Sequence, residues 1–217
     1  MAKLYFRYGA MNSGKSTALL QAAYNYEERD QRVLLAKPAL DTKGADQIVS
    51  RLGVTRDVDV LVPADAGLRE LFTQYAQAEP AGSLLEGTAL GADRTLQDQV
   101  KPVACLLVDE AQFLTAEQVD DLLRIAVLDG VPVLAYGIRT DFRTRPFPGS
   151  ARLMDIAHSL EELKTVCRCG RKAVFNTRRV GDEIILEGDQ VAIDGEQVWY
   201  ESLCAACYLE ISAGRLG

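Results

Sequence analysis

Gly9-Ala10-Met11-Asn12-Ser13-Gly14-Lys15-Ser16 is the stretch that most narrows what this chain can fold into. It fits G-x-x-x-x-G-K-[ST], a pattern with physical meaning only between a β-strand and an α-helix. Both flanks comply. Leu4 to Tyr8 is an apolar and aromatic strand signal, and residues 14 to 28 carry Leu19, Leu20, Ala23 and Tyr24 at helical spacing. The glycines let the backbone curl until successive N–H groups point inward at phosphate oxygens. The helix start adds its positive dipole end. Lys15 is expected to neutralise charge on the terminal phosphates, and the Ser16 hydroxyl to ligate Mg²⁺. Residues Gly9 to Ser16 are therefore expected to hold a nucleoside triphosphate.

A phosphate turn of this kind needs a metal-side carboxylate on a neighbouring strand. Val103 to Val108 is a continuous apolar run, the signature of a strand covered on both faces, and Asp109-Glu110 follow it. Asp109 is expected to hold Mg²⁺ through water. Glu110 is expected to point into the same cleft as a general base; no histidine stands in either motif to compete for that role. The bland alternative is that the two acids only cap the next helix.

Elsewhere the first 150 residues alternate strand and helix signals. Arg32 to Ala36 reads as a strand ended by Pro38, Leu68 to Ala78 as a helix, and Val131 to Tyr136 as a strand. Thr115-x-x-Gln118 is a capping box ahead of Val119, Leu122, Leu123 and Ala126. Such alternation implies an α/β fold, a parallel sheet with helices packed on it. Asp41 to Asp57, polar with two glycines, reads as a mobile loop on the ligand side. Glu79 to Val100 reads as a surface insertion without a clear period.

The charge balance excludes some partners. The 217 residues hold 24 Lys and Arg against 31 Asp and Glu, a net charge of -7. That disfavours a broad phosphate-neutralising surface, and so nucleic acid as the main partner. One histidine, His158, reads as structural and argues against a serine–histidine hydrolase. No apolar run approaches a membrane span, and the N-terminus carries no signal-peptide pattern, so a cytoplasmic protein is expected. An N-K-x-D guanine-reading motif is absent, as are helicase-like length and basicity.

From Cys167 onward the texture changes. Short strand signals at Val174 to Thr177, Glu183 to Leu186 and Gln197 to Tyr200 alternate with Gly and Asp turns. Cys167-Arg168-Cys169 and Cys204-Ala205-Ala206-Cys207 bracket them. In a reducing compartment, paired cysteines read as a four-thiolate Zn²⁺ site that staples a module too small to hold by apolar burial. A redox pair or inert thiols are the alternatives, and the tight Cys-x-Cys spacing could leave one ligand poorly placed. Cys105, in the buried strand signal, reads as a small core residue. The division expected is 1–160 for a nucleotide-binding domain and 161–217 for a small β-rich zinc domain.

Taken together, Gly9 to Ser16, Asp109-Glu110-Ala111-Gln112-Phe113, Tyr136-Gly137-Ile138-Arg139-Thr140-Asp141-Phe142 and the paired cysteines resemble the type II thymidine kinases. The likeness is greatest to enterobacterial-type members, through Cys167 to Ala173, and covers most of the chain. It implies a P-loop domain with a zinc-bearing lasso domain, and transfer of the ATP γ-phosphate to the 5′-hydroxyl of thymidine or deoxyuridine. In that reading Glu110 takes the 5′-OH proton, and Ala111 and Gln112 join the ATP site. Phe142 stacks on the thymine, Met11 lies near its methyl group, Val191, Ala192, Ile193, Asp194 and Gly195 fold over the base, and Tyr200 closes the pocket. The resemblance also implies a homotetramer with feedback by dTTP. Two departures stand out. Lys43 replaces the arginine of many relatives, giving a point charge without a bidentate fork. Asp194-Gly195-Glu196 stands where relatives often have a second glycine. The competing reading is an ATP-dependent switch whose zinc module binds another macromolecule.

Overall fold

A computed structural model describes residues 1–40, 46–78, 100–181, 183–190 and 198–216. Its first elements are β1 (Leu4–Gly9), α1 (Lys15–Glu27), β2 (Arg32–Pro38), β3 (Gln47–Val49), β4 (Thr55–Asp57), β5 (Val60–Val62) and α2 (Leu68–Gln77). These are followed by β6 (Val103–Val108), α3 (Ala116–Leu128), β7 (Val133–Ile138), α4 (Pro148–Ile156) and β8 (Ser159–Glu162). Among the described residues, six strands form one parallel sheet in the order β5-β2-β6-β7-β1-β8. Parallel strands all end on the same edge, so the loops after β1, β2, β6 and β7 gather there; in open α/β sheets that edge is where ligands bind.

The strands are apolar throughout because both faces are covered. Alternate residues serve different layers. Leu34, Ala36, Leu106, Val108, Val133 and Ala135 pack with Leu68 and Phe72 of α2, Val119, Leu122 and Ile125 of α3 and Leu153 of α4. Val33, Leu35, Cys105, Leu107, Leu134 and Tyr136 pack with Leu19, Leu20 and Ala23 of α1. The capping box is formed: Gln118 N–H donates to Thr115 Oγ1 at 3.2 Å, and Thr115 N–H donates to Gln118 Oε1 at 3.1 Å.

The structure departs from the sequence reading in three places. The strand carrying the acids is not hydrogen-bonded to β1; β7 lies between β6 and β1. Within the expected loop 41–57, β3 and β4 form an antiparallel hairpin. Its anchor is Ile48, which is buried among Leu19, Leu35 and their neighbours, a burial that an isolated apolar residue in a polar stretch does not announce. Residues 41–45, Lys43 included, lie outside the described residues, as do 79–99. Lastly, β5 and β8 have no counterpart in the sequence reading, and the helix-like segment ahead of the cysteines is α4, which ends at Ile156, two residues short of His158. Pro148 stands in the first turn of α4, where its fixed φ suits a helix start.

After β8 come β9 (Thr165–Val166), β10 (Lys172–Ala173), β11 (Phe175–Val180), β12 (Glu183–Ile185), β13 (Val198–Leu203) and α5 (Ala205–Ile211). β9 pairs with β10, and β12-β11-β13 form an antiparallel sheet. Ala173, Leu203, Tyr208 and three of the cysteines make its small core.

α4 packs tightly on the turn that follows Glu110. A β-carbon on Gly149 would lie 2.6 Å from the carbonyl oxygens of both Ala111 and Leu114. Backbone cannot swing aside as a side chain can. Gly149→Ala is therefore expected to destabilise the fold by about 1–3 kcal/mol, read as a lowered urea midpoint.

Candidate active site

The phosphate turn is built by close approach and two left-handed residues. A β-carbon on Gly9 would meet Ser13 Oγ at 2.4 Å and the Leu163 carbonyl oxygen at 2.5 Å, so only glycine fits. Asn12 and Gly14 have φ of 66° and 78°; the first is a non-glycine in a region that disfavours side chains. Lys15 is buried and its Nζ donates to the Ala10 carbonyl at 3.0 Å.

The carboxyl end of β6 closes on this turn across β7. Ser16 Oγ donates to Asp109 Oδ2 at 3.0 Å. Asp109 is 4% exposed, and its other oxygen, Oδ1, is buried without a hydrogen-bond partner among the described residues. Burial pushes this carboxyl up to about 7, with the Glu110 charge adding to the effect and the Ser16 hydrogen bond opposing it. A buried, unpartnered carboxylate oxygen beside a serine hydroxyl is a donor set that suits a hard divalent cation.

Glu110 turns the chain out of the strand with φ 47° and ψ 39°. Gln112 holds it: Nε2 donates to Glu110 Oε2 at 2.5 Å, while Gln112 Oε1 accepts the Ile138 N–H at 3.2 Å. Gln112, expected beside ATP, thus has both ends of its amide engaged by protein. Ser16, Asp109 and Glu110 line a narrow cleft with Lys37, Gln47, Ile48 and Val49. Lys37 is a residue the sequence reading missed; its signal was a lone cation at the apolar end of β2, where Nζ donates to the Gln47 carbonyl at 3.4 Å.

A second set of residues is gathered by Arg178. Its guanidinium carbon lies 3.8 Å from the centroid of the buried Phe142 ring. Nε donates to Tyr200 Oη at 3.0 Å, and the two terminal nitrogens donate to the Asp189 and Gln190 carbonyls at 2.9 and 3.1 Å. Phe142 and Tyr200 are thereby brought together. Val191, Ala192, Ile193, Asp194 and Gly195, expected over the base, lie outside the described residues. Met11 is held by its backbone. Its N–H donates to Asn176 Oδ1 at 2.7 Å and its carbonyl accepts from Ser202 Oγ at 2.5 Å. Arg178, Asn176 and Ser202 also escaped the sequence reading. The available signal was the i, i+2 spacing of Asn176 and Arg178 on one strand, which gives them a common face.

Cys167, Cys169, Cys204 and Cys207 place their four Sγ atoms within 4.8 Å of one another. Tetrahedral thiolates at about 2.3 Å from zinc stand about 3.8 Å apart. The Cys169–Cys204 separation of 3.6 Å is compatible with that, and both sulfurs of the tight Cys-x-Cys pair belong to the cluster. The group could hold a metal ion. Cys105 is apart from it, with its thiol pushed up to about 12 by burial. His158 is apart too: its Nδ1 accepts the Leu4 N–H at 3.1 Å.

Comparison with known proteins adds an independent finding. The family model for thymidine kinase matches residues 2–67 and 87–208. The thymidine kinase of Chromobacterium violaceum is 43% identical over 210 residues, 96% of this chain and 98% of its own length. That of Idiomarina loihiensis is 45% identical over 213 residues, covering 94% and 98%. That of the enterobacterial phage T4 is 41% identical over 214 residues, covering 98% of each.

The thiols divide by location, four in the cluster and Cys105 alone in β6, and alkylation distinguishes them. With a strong chelator present, iodoacetamide at pH 8 is expected to modify Cys167, Cys169, Cys204 and Cys207. Cys105 should stay unmodified until the fold is lost, as mass spectrometry would read.

Proposed function

We propose, on the premise that this chain belongs to the thymidine kinase family, that it transfers the γ-phosphoryl group of ATP to the 5′-hydroxyl of thymidine, and also of deoxyuridine. One observation carries the chemical part of this reading. The Glu110 carboxylate, fixed by Gln112, lines the same cleft as Ser16 and Asp109. The 5′ oxygen bonds to the γ phosphorus as that atom's bond to the β–γ bridging oxygen breaks. ADP leaves with the electron pair, and the 5′-OH proton passes to Glu110.

Each remaining residue has a task within that step. The turn Gly9 to Ser16 binds the triphosphate and Lys15 offsets its charge. Ser16 and Asp109 would hold Mg²⁺, which supplies electrostatic stabilisation of the phosphates when bound. The unpartnered Asp109 Oδ1 supports that assignment. Phe142, Tyr200, Met11 and residues 191–195 form the nucleoside pocket, with 161–217 acting as a lid over the nucleotide-binding unit 1–160. Arg178 supports the lid, since it ties Tyr200 and the chain entering residue 191 to the Phe142 ring. Excluding water matters here, because an open site would let water accept the phosphoryl group. Cys167, Cys169, Cys204 and Cys207 would hold Zn²⁺, which when bound would cross-link the base of the lid. Among the described residues no helix is long and apolar enough to cross a membrane. Our reading further includes a cytoplasmic homotetramer in which dTTP occupies the substrate cleft as a feedback inhibitor.

The decisive assay is ADP formation with and without thymidine. ADP release is expected to depend on the nucleoside, and Glu110→Gln should lower kcat by about 10²- to 10⁴-fold. Hydrolysis indifferent to thymidine would instead favour an ATP-dependent switch. Elemental analysis should find about one zinc per chain. Cys204→Ser should lose the metal and weaken thymidine binding together, and a zinc-free protein with unchanged thymidine affinity would break that coupling.

A further inference from the structure

The phosphate turn is gripped from outside by residues more than 160 positions further along the chain. Asn176 on β11 and Ser202 on β13 are direct cross-strand partners in the antiparallel sheet. They take opposite ends of one residue: Asn176 Oδ1 accepts the Met11 N–H at 2.7 Å, and Ser202 Oγ donates to the Met11 carbonyl at 2.5 Å. The other end of the Asn176 amide donates to the Thr140 carbonyl at 3.0 Å, just after β7. Asn176 is 2% exposed and Ser202 7%, so water does not stand in readily for either. Thr165 Oγ1 adds a contact to the Asn12 carbonyl at 3.3 Å.

We propose that Asn176 and Ser202 are positioning residues for the triphosphate, making the cysteine-bearing region a structural wall of the phosphate turn as well as a cover for the nucleoside. Three observations converge on this. The Met11 N–H is committed to Asn176 and so is not one of the amides offered to phosphate. The next residue, Asn12, is held at a φ of 66°, a strained conformation that persists only where its surroundings over-determine it. The grip on Met11 supplies that determination one residue upstream. Finally, backbone amides bind phosphate well only when fixed in direction beforehand, and a turn anchored at one point on a second sheet loses the freedom to tilt. Removing the Asn176 amide would take the present partner from the half-buried Met11 N–H and Thr140 carbonyl, which favours rearrangement of the turn.

This rests on the ATP site proposed above, and the test separates the two. Binding of a non-hydrolysable ATP analogue with Mg²⁺ is measured by calorimetry on Asn176→Leu, Ser202→Ala and Ser202→Thr, alongside KM for ATP and for thymidine. Asn176→Leu is expected to weaken the analogue tenfold or more and to raise KM for ATP in step, with KM for thymidine, whose proposed pocket Met11 borders, rising by a smaller factor at saturating ATP. Ser202→Ala should shift the same constants in the same direction by about threefold or more, and Ser202→Thr, which keeps the hydroxyl, should restore them. Metal content and melting temperature establish that each variant is folded; if Asn176→Leu is not, the two Ser202 variants carry the test. Unchanged analogue affinity in the folded variants overturns the proposal, as does a rise confined to KM for thymidine. Failure of wild-type protein to bind the analogue would overturn the proposed ATP site itself.

Discussion

Burial of the Asp109 carboxyl at the end of β6 is the constraint around which the rest of the site is arranged. A carboxylate removed from water is costly unless it is hydrogen-bonded or matched by positive charge. One oxygen has the Ser16 hydroxyl, and Lys15 contributes charge from the same turn. The adjacent Glu110 makes matters worse electrostatically, since its charge adds to the upward push on Asp109. The backbone answers by turning sharply at Glu110, and Gln112 then holds the Glu110 carboxylate with one end of an amide whose other end accepts a β7 amide. Two neighbouring acids thus receive different surroundings, one enclosed and one on the cleft. Differences of environment are what let two neighbouring carboxyl groups take different chemical roles.

The parts of this arrangement legible in sequence are those whose physics is local. The phosphate turn declares itself through glycine and lysine spacing. The run ending in Asp109-Glu110 is a doubly buried strand with matching bounds, and the Thr115–Gln118 cap is complete within four residues. What escaped depends on tertiary neighbours. The insertion of β7 between β1 and β6 leaves no mark on any one of the three strands. The β3–β4 hairpin depends on Ile48 finding α1 and β2. β8 is half-exposed, with only Leu160 as a large apolar residue, and it becomes a strand by pairing with β1. Asn176, Arg178 and Ser202 look like ordinary polar strand residues until β11 and β13 are set against the first sheet. The family resemblance reached Phe142 and Tyr200, but the guanidinium that joins them had no motif of its own.

The two regions of the chain are joined by specific polar contacts more than by a shared apolar core. The apolar cluster around Tyr208 and Leu203 is distinct from the two that cover the parallel sheet. Tyr208 ties this small core to the segment after β7, because its hydroxyl donates to the Phe142 carbonyl at 3.1 Å. A core this small gains from a metal staple, and its order passes through Tyr208 to the backbone of the aromatic residue we propose for the nucleoside pocket.

Gly9 carries a wider consequence. The space its missing β-carbon leaves is occupied partly by the Leu163 carbonyl, which belongs to the chain just beyond β8. The eight-residue nucleotide signature is therefore not a portable cassette. Grafted into a foreign scaffold as a peptide, it would arrive without the Leu163 segment that packs against it and without the sheet that braces its flank. Protein engineers who treat such signatures as interchangeable parts would, in this architecture, have to move the last quarter of the polypeptide with them.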